Sequence, residues 1–334
     1  MKRSKILTGI MGIVTASALC LTGCSGGFFT FFNYTYENGD KYSAGDREIT
    51  EKITVINLDY VSGDVKLTGT DADKISITET SNKELSEDQK VHTWVDGSTL
   101  YVRYCKSSKN LSFYKIEKNL NITIPGSQDL DNMIVHISSG NADFSGFTSK
   151  TVHAKSSSGD VKMNCSASDI VIKASSGKIF LTENGDAKSI DISSSSGTVN
   201  VDQKGSVDSV KIHSSSGSVT ADLGKVAAFD CHVSSGDIAV EAEEITDLKS
   251  DSSSGKNEYR LGKAPATADI HSSSGGVKVY LPEDSDITVK PKLSSGEFNY
   301  ELSFTKNGKD YVCGNGSNEM TIRVSSGNVD ICKN

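Results

Sequence analysis

Ten glycines follow a Ser-Ser pair, at Gly140, Gly159, Gly177, Gly197, Gly217, Gly236, Gly255, Gly275, Gly296 and Gly327. The gaps between them are 19, 18, 20, 20, 19, 19, 20, 21 and 31 residues, and Val61-Ser62-Gly63-Asp64-Val65 stands upstream as a related copy. A unit this small cannot bury its own apolar face, so an even repeat means that neighbouring units stack and share one core.

Alignment on the glycine shows which side chains face that core. Seven residues before it the chain carries Met133, Val152, Ile170, Ile190, Val210, Phe229, Leu248, Ala268, Val289 and Met320, and five before it Ile172, Ile192, Ile212 and Cys231 recur among mostly apolar residues. Two and four residues after the glycine further apolar rows run through Val161, Ile179, Val199, Val219 and through Met163, Leu181, Val201, Val240. Period-two alternation on both sides of a glycine corner predicts two short strands per unit. The expected fold is all-β: a single-stranded parallel β-helix, or β-solenoid, with rungs of 19–20 residues, and right-handed by extension of the crossover rule. At about 4.8 Å per rung it forms a rod on the order of 50 Å long.

The regular array occupies residues 131–334, with an insertion at 299–320 that turns at Asn307-Gly308 and caps the open end. Residues 46–130 read as irregular N-terminal β rungs, including a hairpin about Asp96-Gly97. Residues 24–45 hold Phe28, Phe29, Phe31, Phe32, Tyr34 and Tyr36, which either cover the N-terminal end of the core or lie in a membrane interface. Residues 1–23 combine Lys2, Arg3 and Lys5 with an apolar run from Ile6 to Leu19, the pattern of a secretory signal too short to span a bilayer. Leu21-Thr22-Gly23-Cys24 resembles the bacterial lipobox, and the resemblance implies acylation of Cys24 and lasting membrane attachment through more than one chain. Loss of Lys2, Arg3 and Lys5 with the signal leaves 32 basic against 43 acidic residues, a net charge of −11. So acidic a surface disfavours nucleic acid and anionic lipid as partners.

Cys105, Cys165, Cys231, Cys313 and Cys332 are odd in number and lack Cys-x-x-Cys spacing, which removes zinc-finger and thioredoxin-like readings. Cys313 and Cys332 lie about one repeat apart and are either a pair or, like most buried free thiols, small apolar residues.

Tyr42-Ser43-Ala44-Gly45, Ile75-Ser76-Ile77-Thr78-Glu79, Asn121-Ile122-Thr123-Ile124-Pro125 and the Ser-Ser-Gly array together resemble the bacterial putative-adhesin family of β-helical domains. The likeness covers roughly residues 42–334. It implies the fold and an envelope setting, in some relatives a link to envelope stress, and supplies no catalytic residue.

Chemistry is sparse. A serine pair repeated ten times fits hydroxyls bonding along the coil better than a nucleophile, which needs one base beside one hydroxyl. Six before the glycine, Asp191, Lys211, Asp230, Lys249 and Asp269 alternate in sign, which pins the register. Four before it stand His213, His232, Asp251 and His271, the candidate metal ligands. A straight exposed ladder makes a poor tetrahedral cage, so no metal or other cofactor is expected. Asp160, Asp237 and Glu297 follow their glycines on rungs that are not adjacent and form no acidic cluster; only 78–92, 104–119 and 299–320 are loops long enough to build a cleft. The expected function is a membrane-anchored, extracytoplasmic, noncatalytic module for adhesion, scaffolding or envelope-stress sensing, partnered by a cell-wall or host-surface glycan or an envelope protein. The competing reading is a carbohydrate-active enzyme, a polysaccharide lyase or hydrolase, with its site over the N-terminal loops.

Overall fold

The computed structural model describes residues 32–111, 113 and 115–334. Cys24, the signal segment, Phe28, Phe29 and Phe31 lie outside the described residues. Two short 3-10 segments, Gly39–Lys41 and Glu87–Gln89, interrupt an otherwise all-β chain among these residues.

Strands of successive repeats pair in parallel, and their register is the repeat itself. Ile170 pairs with Ile190, Ile190 with Val210, Val210 with Phe229 and Phe229 with Leu248. Ile172, Ile192, Ile212 and Cys231 form the second inward column, and every residue of both columns is at most 2% exposed. Beyond the corner, Ile179, Val199, Val219 and Ile238 stack in the same way. The columns join in one continuous apolar core, which is how units too small to fold alone become stable. Where one column changes size another compensates: Ser250 replaces an aliphatic residue, and the fully buried Tyr259 of the same core donates to its Oγ at 2.6 Å.

The corner glycines are required twice over. Gly217 has φ 125°, in the half of backbone space that side chains disfavour. A methyl there would also lie 2.1 Å from the carbonyl oxygen of Gly197 in the rung beside it. Along the whole Ser-Ser-Gly column this approach is 1.9–2.5 Å, so the corners stack backbone on backbone. A second glycine column, Gly185, Gly205 and Gly224, is packed as tightly: a methyl on Gly205 or Gly224 would lie 2.2 or 2.3 Å from the carbonyl oxygen of the glycine one rung before it.

Spatial order departs from chain order at both ends. Val55–Ser62 is sandwiched between Asp129–Ser139 and Thr99–Arg103, and Val65–Thr70 between Ala142–Ser158 and Lys118–Pro125. The first rung in sequence is therefore the second in space. At the other end Asn318–Ser326 lies between Thr267–Ser274 and Ile287–Leu293, while Val329–Lys333 lies between Val277–Leu281 and Phe298–Tyr300. The 31-residue gap thus arises because the chain builds an outer rung and then returns beneath it.

Antiparallel strands cover the outermost rungs. Ile75–Ser81 lies on Lys118–Pro125, and His92–Asp96 lies on Thr99–Arg103, so 46–130 mixes coil rungs with covering strands and is not a run of rungs alone. Asp310–Cys313 lies on Ile287–Leu293 and turns at Gly308 into Thr305–Asn307. Among the described residues the covered edges leave no long free ladder of backbone groups to recruit another chain. All five described cysteines are free and buried; Cys313 pairs across strands with Ile287 and Cys332 with Tyr280, so they form no disulfide.

Candidate functional surface

The face before the corner carries the candidate side chains in straight columns. In spatial order the row four before the glycine reads Asp59, His136, Lys155, Lys173, Ser193, His213, His232, Asp251, His271, Arg323 and Lys292, each directly opposite the next. The His213 and His232 rings stack at 4.9 Å with planes 7° apart. His232 Nδ1 lies 3.7 Å from Asp251 Oδ1, and His271 Nδ1 lies 3.3 Å from Asp251 Oδ2. Register therefore brings the four predicted candidates into one line, with Asp251 shared between two imidazoles. Stacked parallel rings do not converge their nitrogens on a point, and among the described residues no group of three or more His, Cys, Asp or Glu is arranged to hold a metal ion.

Two structural roles differ from those expected. The serines that directly precede the glycines are exposed except for the half-buried Ser254, and hydroxyl bonds at the corners run mainly within a rung. Ser214 and Ser272, the inward members of Ser-Ser-Ser-Gly runs, donate to the carbonyls of Gly217 and Gly275 at 3.4 and 3.2 Å. Along the coil, Ser254 donates to the Ser234 carbonyl at 3.5 Å. The cross-rung ladder lies instead one residue after the glycine. Asn141 N–H donates to Asp64 Oδ1 at 2.9 Å, Asp160 N–H to Asn141 Oδ1 at 3.0 Å, and Lys178 N–H to Asp160 Oδ1 at 2.8 Å. Lys256 N–H repeats the bond to Asp237 Oδ1 at 2.8 Å, and Glu297 N–H bonds Asn328 Oδ1 at 3.0 Å. Asp160 and Asp237 thereby satisfy corner N–H groups that the tight turn leaves unpaired.

The N-terminal end holds a buried ion pair that periodicity did not reveal. Lys118 and Glu79 side chains, 0% and 3% exposed, meet at 2.9 Å. Glu79 also accepts from Tyr60 Oη at 3.0 Å and from Val91 N–H at 2.9 Å. The ammonium sits 4.1 Å from the Tyr104 ring centroid, with Tyr60 and Phe113 also near, and donates to the Gln89 and Tyr104 carbonyls. Burial lowers the Lys118 pKa, opposed by Glu79. Tyr34 closes over this cluster against Tyr104 and Phe113, and burial raises its phenol well above the ordinary value. Outside it, Arg103 lies among Tyr36, Tyr42 and Tyr101, and Trp94 stacks on Tyr101 at 5.1 Å. A shallow depression of about 410 Å³ opens beside Gly45, Asp46, Glu79, Ser81, Lys83 and Lys90. The signal in the sequence for the pair is Lys118 itself, the first residue of the alternating strand Lys118–Pro125 and in its inward phase.

The model of one domain family matches residues 53–203 and again 164–332, two overlapping spans that together cover most of the sequence. The chain belongs to the Toastrack DUF4097 family. Toastrack domains are β-solenoid-like, in keeping with the parallel columns described above. Among solved structures, a protein named a putative adhesin from Parabacteroides distasonis shares 18% identity over 86% of this Toastrack chain and 95% of its own, with a TM-score of 0.45. One of the same name from Parabacteroides merdae shares 14% over 86% and 96%, TM-score 0.37. A putative cell adhesion protein from Clostridium sporogenes shares 13% over 88% and 100%, TM-score 0.22. No curated protein matches. Among the described residues no helix is long and apolar enough to cross a membrane.

Proposed function

We propose that this Toastrack chain is a noncatalytic surface module of the bacterial cell envelope, tethered by lipid on Cys24, that presents its registered polar columns to an extracellular partner. The observation that carries the reading is the line from His136 to Arg323, polar side chains at fixed spacing on a parallel sheet with no deep pocket beneath them. Repetition builds an extended contact surface readily and a single catalytic centre poorly, because catalysis needs unlike groups converging on one atom. At the N-terminal depression both oxygens of Glu79 are committed to Lys118, Tyr60 and Val91, and Asp46 beside it accepts from the Glu79 N–H at 2.9 Å, so the two acids serve the fold and do not face each other as an acid and base pair would. The partner classes are wall or host-surface glycans and envelope proteins, serving adhesion, scaffolding or stress sensing.

The test has two arms. Metabolic labelling with an alkyne fatty acid is expected to mark the full chain and to fail on Cys24→Ser; labelling of both equally refutes the tether. The full chain is then offered purified wall, wall glycans and envelope extract, with reducing ends assayed in parallel. Retention of a partner without new reducing ends is the expected result, and release of reducing ends refutes the noncatalytic reading in favour of a hydrolase or lyase.

A further inference from the structure

The stripe between two carboxylates carries a like-charge step that no neighbouring opposite charge relieves, whereas Arg323, which faces Lys292, is paired with Asp269. Lys155 stands directly opposite Lys173 on the neighbouring parallel strand, and His136 stands opposite Lys155. Like charges facing each other across strands destabilise a sheet. The adjacent column avoids this throughout: Asp191 faces Lys211, Lys211 faces Asp230, Asp230 faces Lys249 and Lys249 faces Asp269. Neither Lys155 nor Lys173 has a carboxylate within ion-pair distance, whereas Lys204 bridges Asp202 and Asp222 at 2.6 and 3.1 Å. From His136 to His232 six consecutive rungs place no acid in this column, a stretch of about 24 Å at about 4.8 Å per rung, on a molecule that is acidic overall.

Shape agrees with charge. A shallow groove of about 330 Å³ runs across these rungs, lined by Lys155, Lys173, Ser175, Ser193, Ser195 and His213. Two ammonium groups, an imidazole and a series of outward hydroxyls supply donors for anionic oxygens, and no carboxylate lines the groove. We propose that this groove binds a linear polyanion, a polymer with phosphodiester or carboxylate groups repeated along its length, laid parallel to the coil axis. A straight row of donors repeating rung by rung matches a straight row of charges and suits no compact ligand. The groove carries no Phe, Tyr or Trp for a base to stack on, which favours a saccharide or polyol polymer over single-stranded nucleic acid. The inference deepens the surface-module reading and rests on it, by naming the chemistry of the partner.

The full chain in nonionic detergent is titrated with poly(glycerol phosphate), with polygalacturonate and with neutral dextran, and the wild type is compared with Lys155→Gln/Lys173→Gln. A charge-matched control, Lys178→Gln/Lys256→Gln, removes two exposed lysines from the row beyond the corner. Binding to at least one polyanion and not to dextran is expected, weakened roughly tenfold in the groove variant, with the salt dependence shallower by roughly one unit per lysine. The control variant is expected to bind as the wild type does. The phosphodiester and carboxylate arms identify which anion the groove prefers. Equal loss in the two variants, or dextran binding as strong as polyanion binding, overturns the groove while leaving the surface module standing. Retention of wall or envelope material undiminished in the groove variant overturns it too, and absence of any retained material in the wild type overturns the module itself.

Discussion

Gly217→Ala measures what the stacked corners contribute. At φ 125° an alanine pays for a backbone region it rarely enters, about 1–3 kcal/mol. Its methyl, 2.1 Å from the Gly197 carbonyl oxygen, forces the rungs apart, and overpacking of this kind costs about 1–3 kcal/mol more. The expected loss is therefore about 2–6 kcal/mol. The strain has no room to relax toward the next rung, since that corner is tight as well: a methyl on Gly236 would lie 2.5 Å from the Gly217 carbonyl oxygen. Gly308→Ala supplies the comparison: its φ is 64°, nothing lies within 4 Å of the new methyl, and only the conformational cost of about 1–2 kcal/mol applies. Urea unfolding followed by far-ultraviolet circular dichroism reads both, with loss of stability seen as a lower midpoint at unchanged slope. Should Gly217→Ala unfold at the same midpoint as Gly308→Ala, backbone-on-backbone packing is not what fixes the corner, and the account of the repeat fails.

Lys118→Met strands the Glu79 carboxylate among apolar rings and should cost about 3–5 kcal/mol, much of it recovered in Lys118→Met/Glu79→Gln; a double-mutant cycle in urea showing no coupling would refute the buried pair. Burial lowers the His92 and His136 pKa values below the ordinary imidazole value, so as the pH falls through about 6.5 the unfolded chain binds protons that the native chain refuses and stability drops. Urea midpoints should show that fall between a pH of about 8 and about 5.5, and His92→Gln/His136→Gln should flatten it. Asp59, whose carboxyl is raised by burial, acts in the opposite sense: its native form takes up a proton first, so its contribution to stability increases as the pH falls toward 3.8. Burial holds the Cys165 and Cys231 thiols up at about 12, so a thiol reagent at a pH of about 8 should find them unreactive in the native chain and reactive in denaturant; prompt native labelling would contradict their placement in the core.

The inward columns were legible because side-chain direction along a strand is a local property that glycine alignment reveals, and Ile172, Ile192 and Ile212 do stack. Neighbour order at the two ends was not. Spacing predicts that rung follows rung, and nothing in the periodicity of 318–333 says that this segment enters between 267–281 and 287–300. Spacing sets Asp160 and Asp237 aside for acid chemistry, because their rungs are not adjacent, but it gives only their position and not the N–H groups of the next rung that occupy their oxygens. Lys118 was missed because an inward lysine breaks the apolar pattern, and its partner Glu79 lies on a strand whose antiparallel placement the pattern does not encode. The His213–His271 row follows from spacing alone, whereas the like-charge step from Lys155 to Lys173 stands out only beside the alternating charges of the adjoining column.

The interleaved closing segment also bears on how the rod matures. Synthesis in N-to-C order yields Ile287–Leu293 and Phe298–Tyr300 before the strands that will pair with them exist. Simple addition of rungs in chain order therefore cannot complete the coil beyond Val277–Leu281, because the strands that lie next to it, Asn318–Ser326 and Val329–Lys333, are the last in the sequence. A ribosome stalled before that stretch would release a rod with its far rung unmoored, an object for quality-control proteases to find.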